Sequence, residues 1–139
     1  MSHPPPSVAG MTVQFSVVEL VVADMGAALA FYRRLGLEVP DGADQEPHVE
    51  VKLPGGLKLA FDTVETIRSF DPDWTPPRGG HRIALAFAAD DAAGVDATYA
   101  ELVAAGYRTH LAPFDAFWGQ RYATVVDPDG NHVDLHAAL

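Results

Sequence analysis

The chain states one plan twice. An apolar strand, Ser16 to Val22, runs into Asp24 and then a helical stretch that ends at Gly36. About seventy residues on, Ile83 to Phe87 runs into Asp90-Asp91, and a second helical stretch ends at Gly106. Short strands and a glycine turn follow each helix, Pro54-Gly55-Gly56 in the first half and Asp127-Pro128-Asp129-Gly130 in the second. A period this long, repeated once, does not build a solenoid. It predicts two strand–helix–three-strand modules, and two such modules set face to face enclose a cavity.

Composition narrows what that cavity serves. With 139 residues the chain suits one compact domain or two small modules sharing a core, and 48% apolar content suffices to bury one. A net charge of −10 argues against nucleic acid and against an anionic membrane surface, because both need clustered Lys and Arg. The same charge favours cationic ligands and also serves solubility. No cysteine is present, which excludes disulfides, thiolate metal sites and Cys nucleophiles. No apolar run approaches the roughly 20 residues of a membrane span. Residues 1–12 read as a flexible tail and not as a secretory signal, so a cytoplasmic location is expected.

Periodicity sets the expected boundaries. The first strand covers 14–22, with Val17, Glu19 and Val21 on one face and Val18, Leu20 and Val22 on the other. Asp24 suits an N-cap, and Met25, Leu29, Tyr32 and Leu35 keep helical spacing. A short strand is expected at 37–40, then His48 to Leu53, then a return strand Leu57 to Asp62 in which Lys58, Ala60 and Asp62 share a face. The Pro- and Gly-rich stretch 63–80 reads as a linker carrying Phe70 and Trp74. It divides a single domain, 13–139, into module one (13–62) and module two (81–137). Module two is expected to hold a strand over 81–89, a helix capped by Asp90 or Asp91, a strand Tyr107 to Leu111, an aromatic loop Pro113 to Gly119, and strands Gln120 to Val126 and Asn131 to His136.

The run Trp118-Gly119-Gln120-Arg121, followed by Asp127-Pro128-Asp129-Gly130-Asn131-His132-Val133-Asp134-Leu135, resembles the C-terminal signature of the vicinal oxygen chelate superfamily. That group includes glyoxalase I, fosfomycin-resistance enzymes, extradiol dioxygenases and bleomycin-resistance proteins. The resemblance covers roughly 13–137. It implies an α+β fold in which two βαβββ modules pair into a concave mixed sheet with helices on the outer face. It also implies a ligand cup in the concave face and a homodimer. Metal-dependent members bind a divalent ion with one side chain from each of four cup-facing strands. Here those positions fall on Val17, Ala60, Ala84 and Asp134, of which only Asp134 can coordinate. One carboxylate does not hold a catalytic divalent ion. No metal and no cofactor are therefore expected.

The remaining candidates fall into two classes. As a ligand-binding set the sequence offers Glu19, an acid on an otherwise apolar cup face, with Asp134, Arg121 and the aromatics Phe114, Phe117 and Trp118. For Glu19, burial is expected to raise the pKa, and a salt bridge to Arg82 or Arg121 is the structural alternative. A displaced metal set would combine His132, Asp134, His136 and Glu19, although alternate residues on a strand stand about 6.5–7 Å apart. His81, His48, His110 and His3 read as solvated. The first reading is a protein resembling bleomycin-resistance proteins, sequestering a cationic or aromatic small molecule without chemistry, with antibiotic resistance as the associated role. The second is a glyoxalase-like lyase or isomerase, or a dioxygenase-type enzyme. It would use displaced ligands, or metal-free acid–base catalysis by Glu19 and Asp134.

Overall fold

The two long helices are started and stopped by the same local chemistry. In the computed structural model, which describes residues 13–139, strand β1 (Val17–Val22) leads into helix α1 (Met25–Arg34), whose N-cap Asp24 accepts a hydrogen bond from the Ala27 amide at 2.9 Å. Strand β4 (Leu85–Ala88) leads into helix α3 (Ala92–Ala104), where Asp91 accepts from the Gly94 amide at 2.8 Å. Both helices end on a glycine at φ +91°, Gly36 and Gly106. The amide after each glycine returns to a carbonyl of the last turn, Leu37 to Tyr32 and Tyr107 to Leu102. Only glycine takes that left-handed φ without steric cost. The duplicated sequence plan is thus a duplicated pair of caps. The tail expected at 1–12, with His3, lies outside the described residues.

Module one adds β2 (His48–Lys52) and β3 (Lys58–Thr63), giving a three-stranded sheet in the order β1-β3-β2. Strand β1 runs parallel to β3, and β2 antiparallel. Module two adds β5 (Thr109–Ala116), β6 (Gln120–Val126) and β7 (His132–Ala138), giving the order β4-β7-β6-β5. Residues 37–40 form no strand, and β4 begins only at Leu85. A short helix, α2 (Val64–Arg68), occupies the start of the expected linker, capped by Thr63. Strand β5 continues to Ala116, through Pro113 and Phe114, where a loop was expected. Proline is tolerated there because β5 is an edge strand and its register shifts between Leu111 and Phe114.

One hydrophobic core serves both modules. Leu29, Phe31, Tyr32, Val49, Val51, Leu59 and Phe61 join Val95, Leu102, Ala123, Val125, Val133 and Leu135 in a single buried cluster. The Tyr32 ring lies 5.4 Å from Phe61 and 6.2 Å from Phe87, so it touches both halves. Its hydroxyl donates to Asp127 Oδ2 at 2.7 Å, and the Ala23 amide donates to Asp129 Oδ1 at 2.9 Å. These side-chain contacts form the seam between sheets that share no strand pairing among the described residues. The helices cover one face of each sheet, and the other faces make the concave surface.

Candidate functional site

Register places the cup-facing residues of module one. Val18, Leu20 and Val22 pack into the core, so Val17, Glu19 and Val21 face the cup. Glu19 stands beside Ala60, and Ala60 beside Glu50. One rung along, Asp62 stands opposite His48. These residues form a continuous polar chain. His48 Nδ1 lies 2.5 Å from Asp62 Oδ1 and Nε2 lies 2.9 Å from Glu50 Oε2, while Lys58 Nζ donates to Glu50 Oε1 at 3.1 Å. Asp62 is buried, its side chain 6% exposed.

The shifts in pKa follow from this chain. His48 is raised, first by its hydrogen bond to Glu50 and then by that to Asp62, because both carboxylates favour the imidazolium. Glu50 is lowered by His48 and then by Lys58. Glu19 is raised, chiefly because it shares a hydrogen bond with Asp62 and secondarily by burial. The expected rise is found, but its first cause is Asp62 and burial comes second, since the side chain is exposed. Neither expected arginine meets Glu19; the group that most raises it is the Asp62 carboxyl.

Module two presents a different wall. Val133, Leu135 and Ala137 point inward, leaving His132, Asp134 and His136 on the cup face. Tyr122 lies opposite His136, and Thr124 opposite Asp134. Asp134 accepts from Tyr122 Oη at 2.5 Å and from Thr124 Oγ1 at 2.7 Å, so both of its oxygens are engaged. Burial, followed by the bond to Asp134, pushes the Tyr122 phenol up to about 12. Phe114 and Trp118 pack edge-on against Tyr122, with centroids 6.0 and 5.1 Å away. Phe117 meets Trp118 at 5.0 Å but is 97% exposed.

Other anticipated residues sit elsewhere. Arg121 pairs across β6 with Ala137, on the helix-covered face, and its guanidinium binds Asp96 of α3 at 2.9 and 3.2 Å and Asp115 at 3.1 Å. It therefore points away from the cup in which the sequence reading had placed it. His81 and His110, expected to be solvated, come together with His132, a member of the displaced metal set, instead. Their rings stack with His132 in the middle, at centroid distances of 4.3 and 4.6 Å. Burial, then the charges of His81 and His110, lowers the His132 pKa.

The metal positions of the superfamily do not fit a metal here. Val17 and Ala60 offer hydrocarbon, Ala84 precedes β4, and the residue facing Asp134 across β4 is Ala86. The displaced set fares no better. Asp134 is committed to two hydroxyls, His132 is stacked between imidazoles, and His136 faces Gln120. Among the described residues no three His, Asp or Glu side chains are arranged to hold an ion.

Asp62, His48, Tyr122 and Thr124 escaped the sequence reading as site residues. Parity alone carried the signal: each is a polar residue at a cup-facing position of its strand.

Comparison with known proteins agrees with this architecture. The profile of the glyoxalase/bleomycin resistance protein/dioxygenase superfamily matches residues 14–135. A glyoxalase/bleomycin resistance protein/dioxygenase family enzyme from Burkholderia phytofirmans superposes with a TM-score of 0.75 at 22% identity, covering 89% of this chain and 98% of that one. A glyoxalase/bleomycin resistance protein/dioxygenase from Nocardioides gives 0.70 at 23%, covering 95% and 87%. A lactoylglutathione lyase from Agrobacterium tumefaciens gives 0.63 at 26%, covering 96% and 95%. No curated protein matches the sequence significantly.

Proposed function

Because this chain belongs to the glyoxalase/bleomycin resistance protein/dioxygenase superfamily, we propose that it is a small-molecule-binding protein of the bleomycin-resistance type, holding a cationic or aromatic ligand in its cup without a metal. One observation carries the reading. At the superfamily's metal positions three side chains are hydrocarbon, and the fourth, Asp134, spends both oxygens on Tyr122 and Thr124. A carboxylate so engaged acts as a fixed hydrogen-bond acceptor. The aromatic wall of Phe114, Trp118 and Tyr122 supplies stacking surface, and the acidic wall around Glu19 and Asp62 supplies counter-charge. Sequestration of a toxic small molecule is the role this reading carries. A homodimer belongs to it as well, since Phe15 and Ile83 remain 72% and 78% exposed near the unpaired edges of β1 and β4.

The test combines metal analysis with ligand mapping. Untagged protein dialysed against zinc and nickel is expected to hold far less than one equivalent, and cationic aromatic fragments are expected to shift the amides of Trp118, Tyr122 and Glu19. Stoichiometric metal lost on Asp134→Ala would overturn the reading. Light scattering checks the dimer; a mass near 15 kDa at micromolar concentration excludes it.

A further inference from the structure

A cavity of about 360 Å3 lies between β1, the turn that precedes β7, and the strap of residues 74–81 that joins the modules. We propose that this cavity is a cation subsite, taking the ammonium group of a small organic amine between the indole of Trp74 and the carboxylates of Glu19 and Asp129. The proposal deepens the reading of the cup as a ligand site and rests on it.

The lining has two chemistries and lacks a third. Trp74, Pro76 and Pro77 give an apolar, partly aromatic side. Glu19 and Asp129 give two acids, no Lys or Arg lines the space, and the one imidazole on the lining, His81, lies against the His132 ring at 4.3 Å. An ammonium ion over an indole face is attracted by the ring quadrupole, and a nearby carboxylate adds charge and a hydrogen-bond acceptor. A neutral ligand gains neither. The volume lies at the small end of the range for ligand pockets, which suits a head group or a compact amine.

Among the described residues neither acid forms an ion pair with a basic side chain. Asp129 is raised chiefly by burial, with the Ala23 amide as its compensating donor and Asp127 and Asp24 adding repulsion. Glu19 has Asp62 for a neighbour. A bound cation relieves both. The aromatic side is held in place before any ligand arrives. The Trp74 amide donates to the Asp71 carbonyl at 3.1 Å, and Arg68 Nε donates to the Trp74 carbonyl at 3.0 Å. At the other end of the strap His81 stacks on His132. A strap anchored at both ends loses little freedom on binding.

Benzylamine and its neutral near-isostere benzyl alcohol, titrated into the full chain under amide and indole NMR, test the proposal. Benzylamine is expected to shift the Trp74 indole and the Glu19 and Asp129 amides, and to bind about tenfold more tightly than benzyl alcohol. Trp74→Ala and Glu19→Gln should each weaken it about fivefold or more, and Val103→Ala, at an exposed position of α3 outside the cup, less than twofold. If Trp74→Ala melts early, Trp74→Phe retains the fold and should retain part of the affinity. Equal binding of the two probes, no binding of benzylamine, or shifts confined to Phe114, Trp118 and Tyr122 overturns the subsite. The last of these outcomes leaves the cup reading standing, so the two failures are distinguishable.

Discussion

The two cup walls are built on the same scaffold and hold their carboxylates by opposite means. In module one, Asp62 is paired with the imidazole of His48 in a polar chain that continues to Glu50 and Lys58. In module two, Asp134 at an equally central position is held by two neutral hydroxyls. Both acids sit on a strand flanked by others, facing the cup, above an apolar core layer. The scaffold therefore fixes where an acid stands, and the neighbouring strand decides what it is. A carboxylate beside His48 shares a network with Glu50 and Lys58, whereas one beside Tyr122 and Thr124 accepts from two hydroxyls.

The largest effect should come from removing what joins the walls. Asp127 is buried and accepts from Tyr32 Oη, the Asp129 and Asn131 amides and Asn131 Nδ2. Asp127→Ala strips all four donors and leaves the Tyr32 hydroxyl unpaired in the core. A loss of about 3–4 kcal/mol in urea unfolding is expected. A loss below about 1 kcal/mol would mean that the halves do not depend on this seam.

Salt separates the walls themselves. Asp62→Ala and Asp134→Ala should each cost about 2 kcal/mol at low ionic strength. In about 1 M salt the first cost should shrink, because its half-exposed partner His48 lies in one chain with the Glu50–Lys58 ion pair, while the second should hold. Equal salt response in both variants would erase the distinction between them.

A smaller effect is expected at Glu19. An acid whose folded pKa is raised disfavours folding once the pH exceeds its ordinary value, so the penalty is absent in strong acid and present at neutrality. Glu19→Gln keeps a donor toward Asp62 and removes the repulsion. A gain of ~0.5 kcal/mol at pH 7, fading toward pH 4, is expected from paired melts. A lower melting temperature at pH 7 would assign Glu19 a different partner. The smallest effect belongs to Phe117, whose ring is almost wholly exposed: Phe117→Ala should leave stability within about ±0.5 kcal/mol. A larger loss in solution would indicate that the ring is covered there.

The sequence made the scaffold readable because caps and glycine ends are local. Asp24, Asp91, Gly36 and Gly106 act within one helical turn, so their spacing is visible in one dimension. The walls depend on which strand lies beside which. Asp62 could be assigned a face from alternation, yet its meeting with His48 depends on the register of β2 against β3. Arg121 shows the converse: its motif suggested a ligand, while its parity on β6 sends it to α3. Helix α2 was hidden because the prolines and glycines after Asp71 dominate the stretch around it. The histidine stack draws on the strap, β5 and β7 at once, and no local pattern announces such a gathering.

Sheets that share no strand pairing among the described residues, and are tethered by the sixteen residues from 69 to 84, behave as two reactants on a leash. Such a tether holds one half near the other at an effective concentration in the millimolar range. An equivalent half from another chain, present at micromolar concentration, competes at a disadvantage of about a thousandfold. A chain refolded in dilute solution is therefore expected to close on itself, and one concentrated while unfolded toward the millimolar range to exchange halves with its neighbours.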